Sequence, residues 1–431
     1  MVSERAKHLG MLFNILYNAL LGAVDHCLRL MALAPSSHTP SKLKRFARGQ
    51  RGLLSAIESD TATLHDGRPV IWMHASSLGE YAILRPVIKQ LHARMDCHIV
   101  LTFFSPTGYE ALCKHHPDVD YVCYLPLDRP GNVKRFLDAV RPTRAIFAVS
   151  EYWINFLKGL KRRQIPTYLL SAIIADKGPF FRWYGTFYRQ ALETYTHITV
   201  LNQASADNLR RLGFERYSVA GDPLFDNAVA VAETPYENSV VTRFAQGRKL
   251  FVVGSLSDEN DLRMTVHLID RHPDVRFLIV PHEVSDKAIA RLQTALPTES
   301  VRYTQCDEYT DLTNRHVLIV DFVGALASLY RYAGWAYVGG GFTPYLHSII
   351  EPVVYGIPVA YGPRIERKAT PTELSAQGIG RVVQTPEELE QWFAELKTDE
   401  ERLQEIDRAA RHYIARQRGA TQAIIDQLMS A

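Results

Sequence analysis

Several loops of this sequence carry side chains able to do chemistry. The richest runs Tyr337-Val338-Gly339-Gly340-Gly341-Phe342, then His347-Ser348-Ile349-Ile350-Glu351-Pro352, then Gly356-Ile357-Pro358-Val359 and Gly362-Pro363. The successive glycines Gly339, Gly340 and Gly341 let a backbone pass tight against a ligand. His347 and Glu351 are spaced to share one face of a helix. A helix N-terminus just after a glycine loop can stabilise a leaving phosphate, and a carboxylate there can hold ribose hydroxyls. The plainer alternative is a glycine turn followed by a helix-face ion pair. H-x-x-x-E lacks the H-E-x-x-H spacing of a zinc site, so the run is not read as one.

A second constellation, His74-Ala75-Ser76-Ser77-Leu78-Gly79-Glu80, follows the apolar run Pro69 to Met73. Backbone amides at a helix opening, with Ser76, Ser77 and Gly79, can receive an anion or a sugar hydroxyl. Glu80 could take a proton from an attacking hydroxyl, or could merely offset the positive helix end. Next, Leu101 to Glu110 offers Ser105 and Thr107 as ligand contacts or, more cheaply, as an N-cap. In Ser150-Glu151-Tyr152-Trp153-Ile154-Asn155, Glu151 either orients a polar substrate or serves as a helix-start acid. Gly254-Ser255 suits close backbone approach to a phosphate. His282, in Pro281-His282-Glu283, could contact a phosphate or base, although a lone histidine is more often structural.

Around these loops, short apolar runs alternate with amphipathic segments. Strands are expected at Pro69–Met73, His98–Phe103, Tyr121–Tyr124, Ala145–Val149 and Thr167–Leu170. A second set is expected at Leu250–Val253, Arg276–Val280, Val317–Val320, Trp335–Val338 and Ile357–Ala360. Buried strands alternating with helices argue for parallel sheets with right-handed crossovers. The expectation is α/β: two doubly wound Rossmann-like domains facing a cleft, whose ligands bind beyond the carboxyl ends of the strands. The expected boundaries are an N-terminal membrane-associated helix over 1–38, a first domain over 39–226, a linker over 227–247, a second domain over 248–405 and a C-terminal helix over 406–431.

In the N-terminal segment, Leu9 to Val24 carry no charge, a run slightly short for a spanning helix. Asn14, Asn18, Asp25 and Arg29 fall on one helical stripe, with Leu12, Ile15, Leu16, Leu20, Leu21 and Leu28 around the remainder. That pattern favours an amphipathic helix. Lys42, Lys44, Arg45, Arg48 and Arg51 follow without an intervening acid. Such a cluster either docks on anionic lipid headgroups, placing it on the cytoplasmic side, or is a solvated charge run.

The 431 residues suit two domains, and 49 basic against 46 acidic residues is too small an excess for a general nucleic-acid binder. The five cysteines show no C-x-x-C pair, which argues against a disulfide framework or zinc site. G-x-G-x-x-G is absent after the first strand of either half, which weakens a dehydrogenase reading.

With these motifs in this order, from about residue 9 to the end, the chain resembles the 3-deoxy-D-manno-octulosonic acid (Kdo) transferases of lipopolysaccharide synthesis. The resemblance implies the two-domain GT-B architecture and transfer of Kdo from CMP-Kdo to a hydroxyl of a lipid A precursor (lipid IVA). It implies inversion at the anomeric centre without metal or other cofactor, at the cytoplasmic face of a bacterial inner membrane. Glu80 matches the family's catalytic base and Glu151 a second acid. Gly254, Ser255, His282, Gly339 to Gly341, His347, Ser348 and Glu351 match the donor side. Ser76, Ser77, Gly79, Ser105, Thr107, Lys44, Arg48 and Arg51 are the expected acceptor contacts. The chain departs from the family at Gly49-Gln50-Arg51 (Gly-Arg in many members), at Ser171-Ala172-Ile173 (Asn-Ala-Arg), at Ser348 (Asn) and at Leu224 (a basic residue). Lys177, Arg182 or Arg189 could compensate. The alternatives are another GT-B enzyme on a different nucleotide sugar, or a non-catalytic membrane-associated sugar-nucleotide binder.

Overall fold

The computed structural model describes residues 4–33, 41–116, 118–365 and 369–430, with side chains from Phe13 onward. Of the expected N-terminal segment, residues 1–3 and 34–38 and the side chain of Leu12 lie outside the described residues. The chain divides into one unit of residues 1–227 with 418–431, and another of 228–417.

The first unit is built on seven strands: β1 (Val70–Ala75), β2 (His98–Phe103), β3 (Tyr121–Tyr124), β4 (Arg144–Ala148), β5 (Thr167–Ala172), β6 (His197–Val200) and β7 (Tyr217–Val219). All are parallel, in the order β3-β2-β1-β4-β5-β6-β7. The second unit repeats the plan with β8 (Leu250–Leu256), β9 (Phe277–Pro281), β10 (Ser300–Arg302), β11 (Val317–Ile319), β12 (Ala333–Val338), β13 (Val359–Tyr361) and β14 (Gly380–Val382), ordered β10-β11-β9-β8-β12-β13-β14. Helices cover both faces of such sheets, so the central strands must be apolar throughout. Every residue of β1 and β2 is buried. The strands that the sequence pattern missed are β6, β7, β10 and β14. Three of these are edge strands of three residues with half-exposed positions, too short to raise an apolar run.

In each sheet the order reverses at one point, between β1 and β4 in the first and between β8 and β12 in the second. A crevice opens at such a point beyond the strand ends. The chemistry-bearing loops Ser76–Glu80 and Ser150–Glu151 leave β1 and β4. Gly254–Ser255 and Gly339–Gly341 close β8 and leave β12. Both pairs therefore sit at a switch point.

Two expected boundaries differ from the structure. The 227–247 stretch is helical, with helices Pro223–Glu233 and Ser239–Ala245. Val240, Val241 and Phe244 bury, and the Asn238 side chain caps the amide of Val241 at 3.0 Å. The C-terminal stretch breaks at Gly419, whose φ of 101° stops one helix at Gln417 and lets another begin at Ala420. That last helix packs Ile424, Ile425 and Leu428 into the core of the first unit with Leu84 and Val87. The Asp226 carboxylate accepts from the amides of Gly419 and Thr421 at 2.8 and 2.7 Å.

The N-terminal helix α1 (Glu4–Leu33) is turned inside out. Its polar stripe faces the protein. Asn18 accepts from Asn155 at 2.9 Å, Tyr17 donates to Asp128 at 2.7 Å, and Asp25 pairs with Arg129. Ile15, Leu16, Leu20, Val24, Leu30 and Leu33 are exposed. Leu28 departs from the expected outward apolar set and buries with Ala32, Phe46 and Leu127. Among the described residues, no helix is long and apolar enough to cross a membrane.

Candidate active site

In the first unit, Ser77 opens the helix Leu78–Arg94 with a reciprocal capping box. The Ser77 amide donates to Glu80 Oε2 at 2.7 Å, and the Glu80 amide to Ser77 Oγ at 3.4 Å. The two sequence readings of Glu80 are thus compatible, because one carboxylate oxygen serves the helix end and fixes the orientation of the whole group. Burial, and then the nearby charge of Glu151, raise the Glu80 pKa above the ordinary carboxylate value, against the pull of the Ser77 amide. A half-buried carboxylate made more basic is suited to accept a proton.

Glu151 is itself buried. Burial opposes its ionisation, but His74, with help from Ser76, outweighs burial and holds its pKa below the ordinary value. His74 Nε2 lies 3.6 Å from Glu151 Oε2 and 3.2 Å from Ser76 Oγ. The residue that aims this loop is Val149, at φ 67°. A β-branched side chain rarely adopts that backbone, and such strain collects at functional loops. Ser171 and Ser255, both at φ 54° near the ends of β5 and β8, repeat the pattern.

Ser105 and Thr107 reach the same edge of the sheet. The Ser105 amide donates to the Ser76 carbonyl at 2.8 Å, joining the two loops. Ser105 holds the N-cap position without a side-chain bond, and Thr107 is exposed. The basic helix α2 (Lys42–Gly49) stands beside them. Its Arg45 pairs with Glu110 at 3.0 Å. Phe46 stacks on Phe104 at 4.7 Å, which in turn lies 5.1 Å from Trp153. Lys44 is half-buried, and Arg48 and Arg51 are exposed.

In the second unit the three glycines are enforced by the protein itself. A Cβ on Gly339 would stand 2.4 Å from the Ser255 carbonyl, one on Gly340 2.4 Å from the Tyr345 carbonyl, and one on Gly341 2.4 Å from the Gly362 amide. Gly254 is equally crowded, by the Tyr330 hydroxyl at 2.0 Å. Asp261 organises the loop. Its Oδ2 accepts from the amides of Gly340 and Ser257 at 2.9 and 3.1 Å, and its Oδ1 from Tyr337 at 2.7 Å. Sequence reading missed Asp261, although Asp258-x-x-Asp261 has capping-box spacing.

His347 and Glu351 do not share a helix face. The helix there is only Ile350–Val353, and His347 precedes it. Pro352 has no N–H, so it suits the first turn and cannot sit inside a helix begun at His347. The His347 ring instead stacks on His282 at 4.6 Å. Glu351 is half-buried, and burial pushes its carboxyl up to about 7. Ser348 is exposed. Among the described residues, no group of three or more His, Cys, Asp or Glu side chains is placed to hold a metal ion.

Residues 44–227 match the family model described as 3-deoxy-D-manno-octulosonic-acid transferase (kdotransferase). The chain is 26% identical over 378 residues to the 3-deoxy-D-manno-octulosonic acid transferase of Haemophilus influenzae, covering 83% of this chain and 86% of that one. It is 27% identical over 376 residues to the Bordetella pertussis enzyme of the same name, with the same coverage. The chain is thus similar to Kdo transferases over most of its length. It is a glycosyltransferase. Its fold is the GT-B architecture, and it is similar in fold to UDP-GlcNAc 2-epimerase from Neisseria meningitidis (TM-score 0.59, 13% identity, covering 84% of this chain and all of that one).

Where the chain departs from the Kdo transferase pattern, Gln50 and Leu224 have work of their own. Gln50 bridges backbone groups, donating to the Leu125 carbonyl at 3.1 Å and accepting from the Leu127 amide at 3.3 Å. The Leu224 amide closes a turn on Asp222 at 2.9 Å. Ile173 is exposed, as are Lys177 and Arg182. Arg189 is engaged by the Phe180 carbonyl and Thr186, so it suits a structural role better than substrate contact.

Proposed function

We propose that this transferase moves Kdo from CMP-Kdo to a hydroxyl of a lipid A precursor, with inversion, at the cytoplasmic face of a bacterial inner membrane. Glu80 takes the proton from the acceptor hydroxyl. The oxygen attacks the anomeric carbon of Kdo, and the bond to the CMP phosphate breaks with its electron pair leaving on CMP. The second unit holds the donor. Gly254, Ser255, His282, the Gly339–Gly341 loop, His347 and Ser348 receive the phosphate side, and Glu351 receives the ribose. Ser76, Ser77, Gly79, Ser105 and Thr107 receive the acceptor sugar. The displacement so written draws on no metal or other cofactor.

The observation that carries this reading is Glu80, fixed by its capping box at the first switch point and made more basic by burial and Glu151. The membrane reading rests on α1, whose apolar side faces outward, and on the basic residues Lys44, Arg48 and Arg51 beside it. Trp183, 79% exposed and 6.5 Å from Phe13, adds an aromatic side chain suited to a headgroup boundary.

The test is transfer of labelled Kdo from CMP-Kdo to a tetraacylated lipid A precursor. Turnover that falls by about 10²-fold or more in Glu80→Gln, with CMP binding retained, supports the proposal. CMP binding without transfer in the unaltered enzyme, or transfer only from another nucleotide sugar, would refute it.

A further inference from the structure

We propose that His74 is a positioning residue for the transfer. It supplies the buried counter-charge that keeps Glu151 ionised, and the pair thereby sets the basicity of Glu80. This rests on the reading of Glu80 as the base.

The tautomer of His74 follows from its neighbours. The ring is fully buried on β1. Nδ1 lies 3.0 Å from the Thr102 carbonyl and 2.9 Å from Thr102 Oγ1. A carbonyl only accepts. The Thr102 hydroxyl has its hydrogen directed at the Met73 carbonyl, 3.3 Å away, while it accepts from the Trp72 indole at 2.9 Å. Toward His74 it too can only accept, so Nδ1 carries a hydrogen. The other nitrogen, Nε2, lies 3.2 Å from Ser76 Oγ and 3.6 Å from the Glu151 carboxylate, and the Ser76 hydroxyl gives its own hydrogen to that carboxylate, so both neighbours of Nε2 accept. Two acceptors facing each other in a dry site would repel, so Nε2 carries a hydrogen as well. The ring then bears the positive charge that a buried carboxylate requires.

The consequence passes on to Glu80. Among the described residues, the charged groups that face Glu80 are Glu151, from the loop after β4, which makes it more basic, and His74, from β1, which opposes this by a smaller amount. Those facing Glu151 are His74 and Glu80, with the neutral phenols of Tyr152 and Tyr195 behind it. A neighbouring negative charge makes a carboxylate hold its proton more tightly. If His74 is replaced by a neutral side chain, Glu151 loses its counter-charge, takes up a proton and ceases to act on Glu80.

The test uses His74→Gln, Glu151→Gln and the double variant of the full-length enzyme, reading the pH profile of kcat and the KM for CMP-Kdo. Each single variant should move the acid limb to lower pH and lower plateau kcat by about tenfold, with KM for the donor unchanged. The double variant should match either single one, since both act through one charge. An acid limb that stays put or moves upward in His74→Gln, or effects that multiply in the double variant, would overturn the proposal. A merely structural role for the ring would lower the amount of folded enzyme without moving the limb. Should His74→Gln not fold, ring-nitrogen NMR of the unaltered enzyme at its optimum pH decides. Hydrogens on both nitrogens support the proposal, and a bare Nε2 overturns it. Full activity in Glu80→Gln would instead remove the base reading itself, a separate and recognisable failure.

Discussion

The carboxylate of Asp261 accepts the backbone amide of Gly340 at 2.9 Å, tying the helix that follows β8 to the loop that follows β12. Both loops line the switch point of the second sheet. The same carboxylate holds Tyr337 and Ser257, and it is completely buried. Removing it strands two buried donors at once, the Tyr337 hydroxyl and the Gly340 amide. Asp261→Ala should therefore cost roughly 3 kcal/mol of stability and weaken CMP binding. Denaturant unfolding and calorimetry would check this, and unchanged CMP affinity would mean the loop does not depend on this carboxylate.

Gly254 and Tyr330 make a second pair whose fates are linked. Gly254→Ala pushes a methyl group against the Tyr330 hydroxyl and should cost about 2 kcal/mol. That hydroxyl is buried and lacks a hydrogen-bond partner among the described residues. Tyr330→Phe alone should be neutral or stabilising by about 1 kcal/mol. Combined with Gly254→Ala it should recover most of the loss. Thermal unfolding of the three variants gives the answer, and simple additivity would count against the steric account.

Glu351 gives a pH dependence with a definite sign. Burial pushes its carboxyl from an ordinary 4.5 up to about 7. Below 4.5 it is protonated in folded and unfolded chains alike. Between 4.5 and about 7 the folded state holds the proton and the unfolded state has lost it, so this group makes stability fall as pH rises. Glu351→Gln removes the effect. Its stability relative to the unaltered enzyme should grow from about pH 4 to about pH 8 and level off beyond. A constant difference across that range would place Glu351 in a more polar setting than the one described.

The outward face of α1 can be tested without disturbing the fold. Leu16 and Leu20 are more than half exposed, at 55% and 63%. The double change Leu16→Ser, Leu20→Ser should leave the unfolding midpoint within about 1 °C, because little apolar surface is lost from the core. Binding to vesicles containing anionic lipid should drop more than tenfold, since each leucine contributes about 1.5 kcal/mol when buried in lipid. Tyr17→Phe, by contrast, breaks the bond to Asp128 on the inner face. It should cost about 1 kcal/mol of stability and leave vesicle binding largely intact.

Much of the architecture was legible because parallel sheets write themselves as apolar runs. Every central strand of both units announced itself in this way, and only short strands at or beside the edges stayed silent. Site residues were legible as types in loops, but their partnerships were not. Nothing in the sequence brings Glu151 beside Glu80, because that neighbourhood depends on β4 lying next to β1. The polar stripe of α1 was visible, but periodicity is blind to which side faces the protein. Here the polar side does, because Asp128, Asn155 and Arg129 wait there for Tyr17, Asn18 and Asp25. The single-helix reading of His347 and Glu351 failed for a cause already printed in the chain, since Pro352 limits where that turn can begin. The strain at Val149 had no outward sign, because glycine is the usual marker of that backbone and valine is not.

The last helix, Ala420–Met429, completes the first unit's core, and the amides at its start satisfy Asp226. On the ribosome the strands of the first sheet emerge early, but the residues that seal their helical layer are made only after the whole second unit. Until then Leu84 and Val87 lack part of their cover. The nascent chain must carry that apolar opening through most of its synthesis, so its maturation is governed by the order of translation as much as by the strength of any contact.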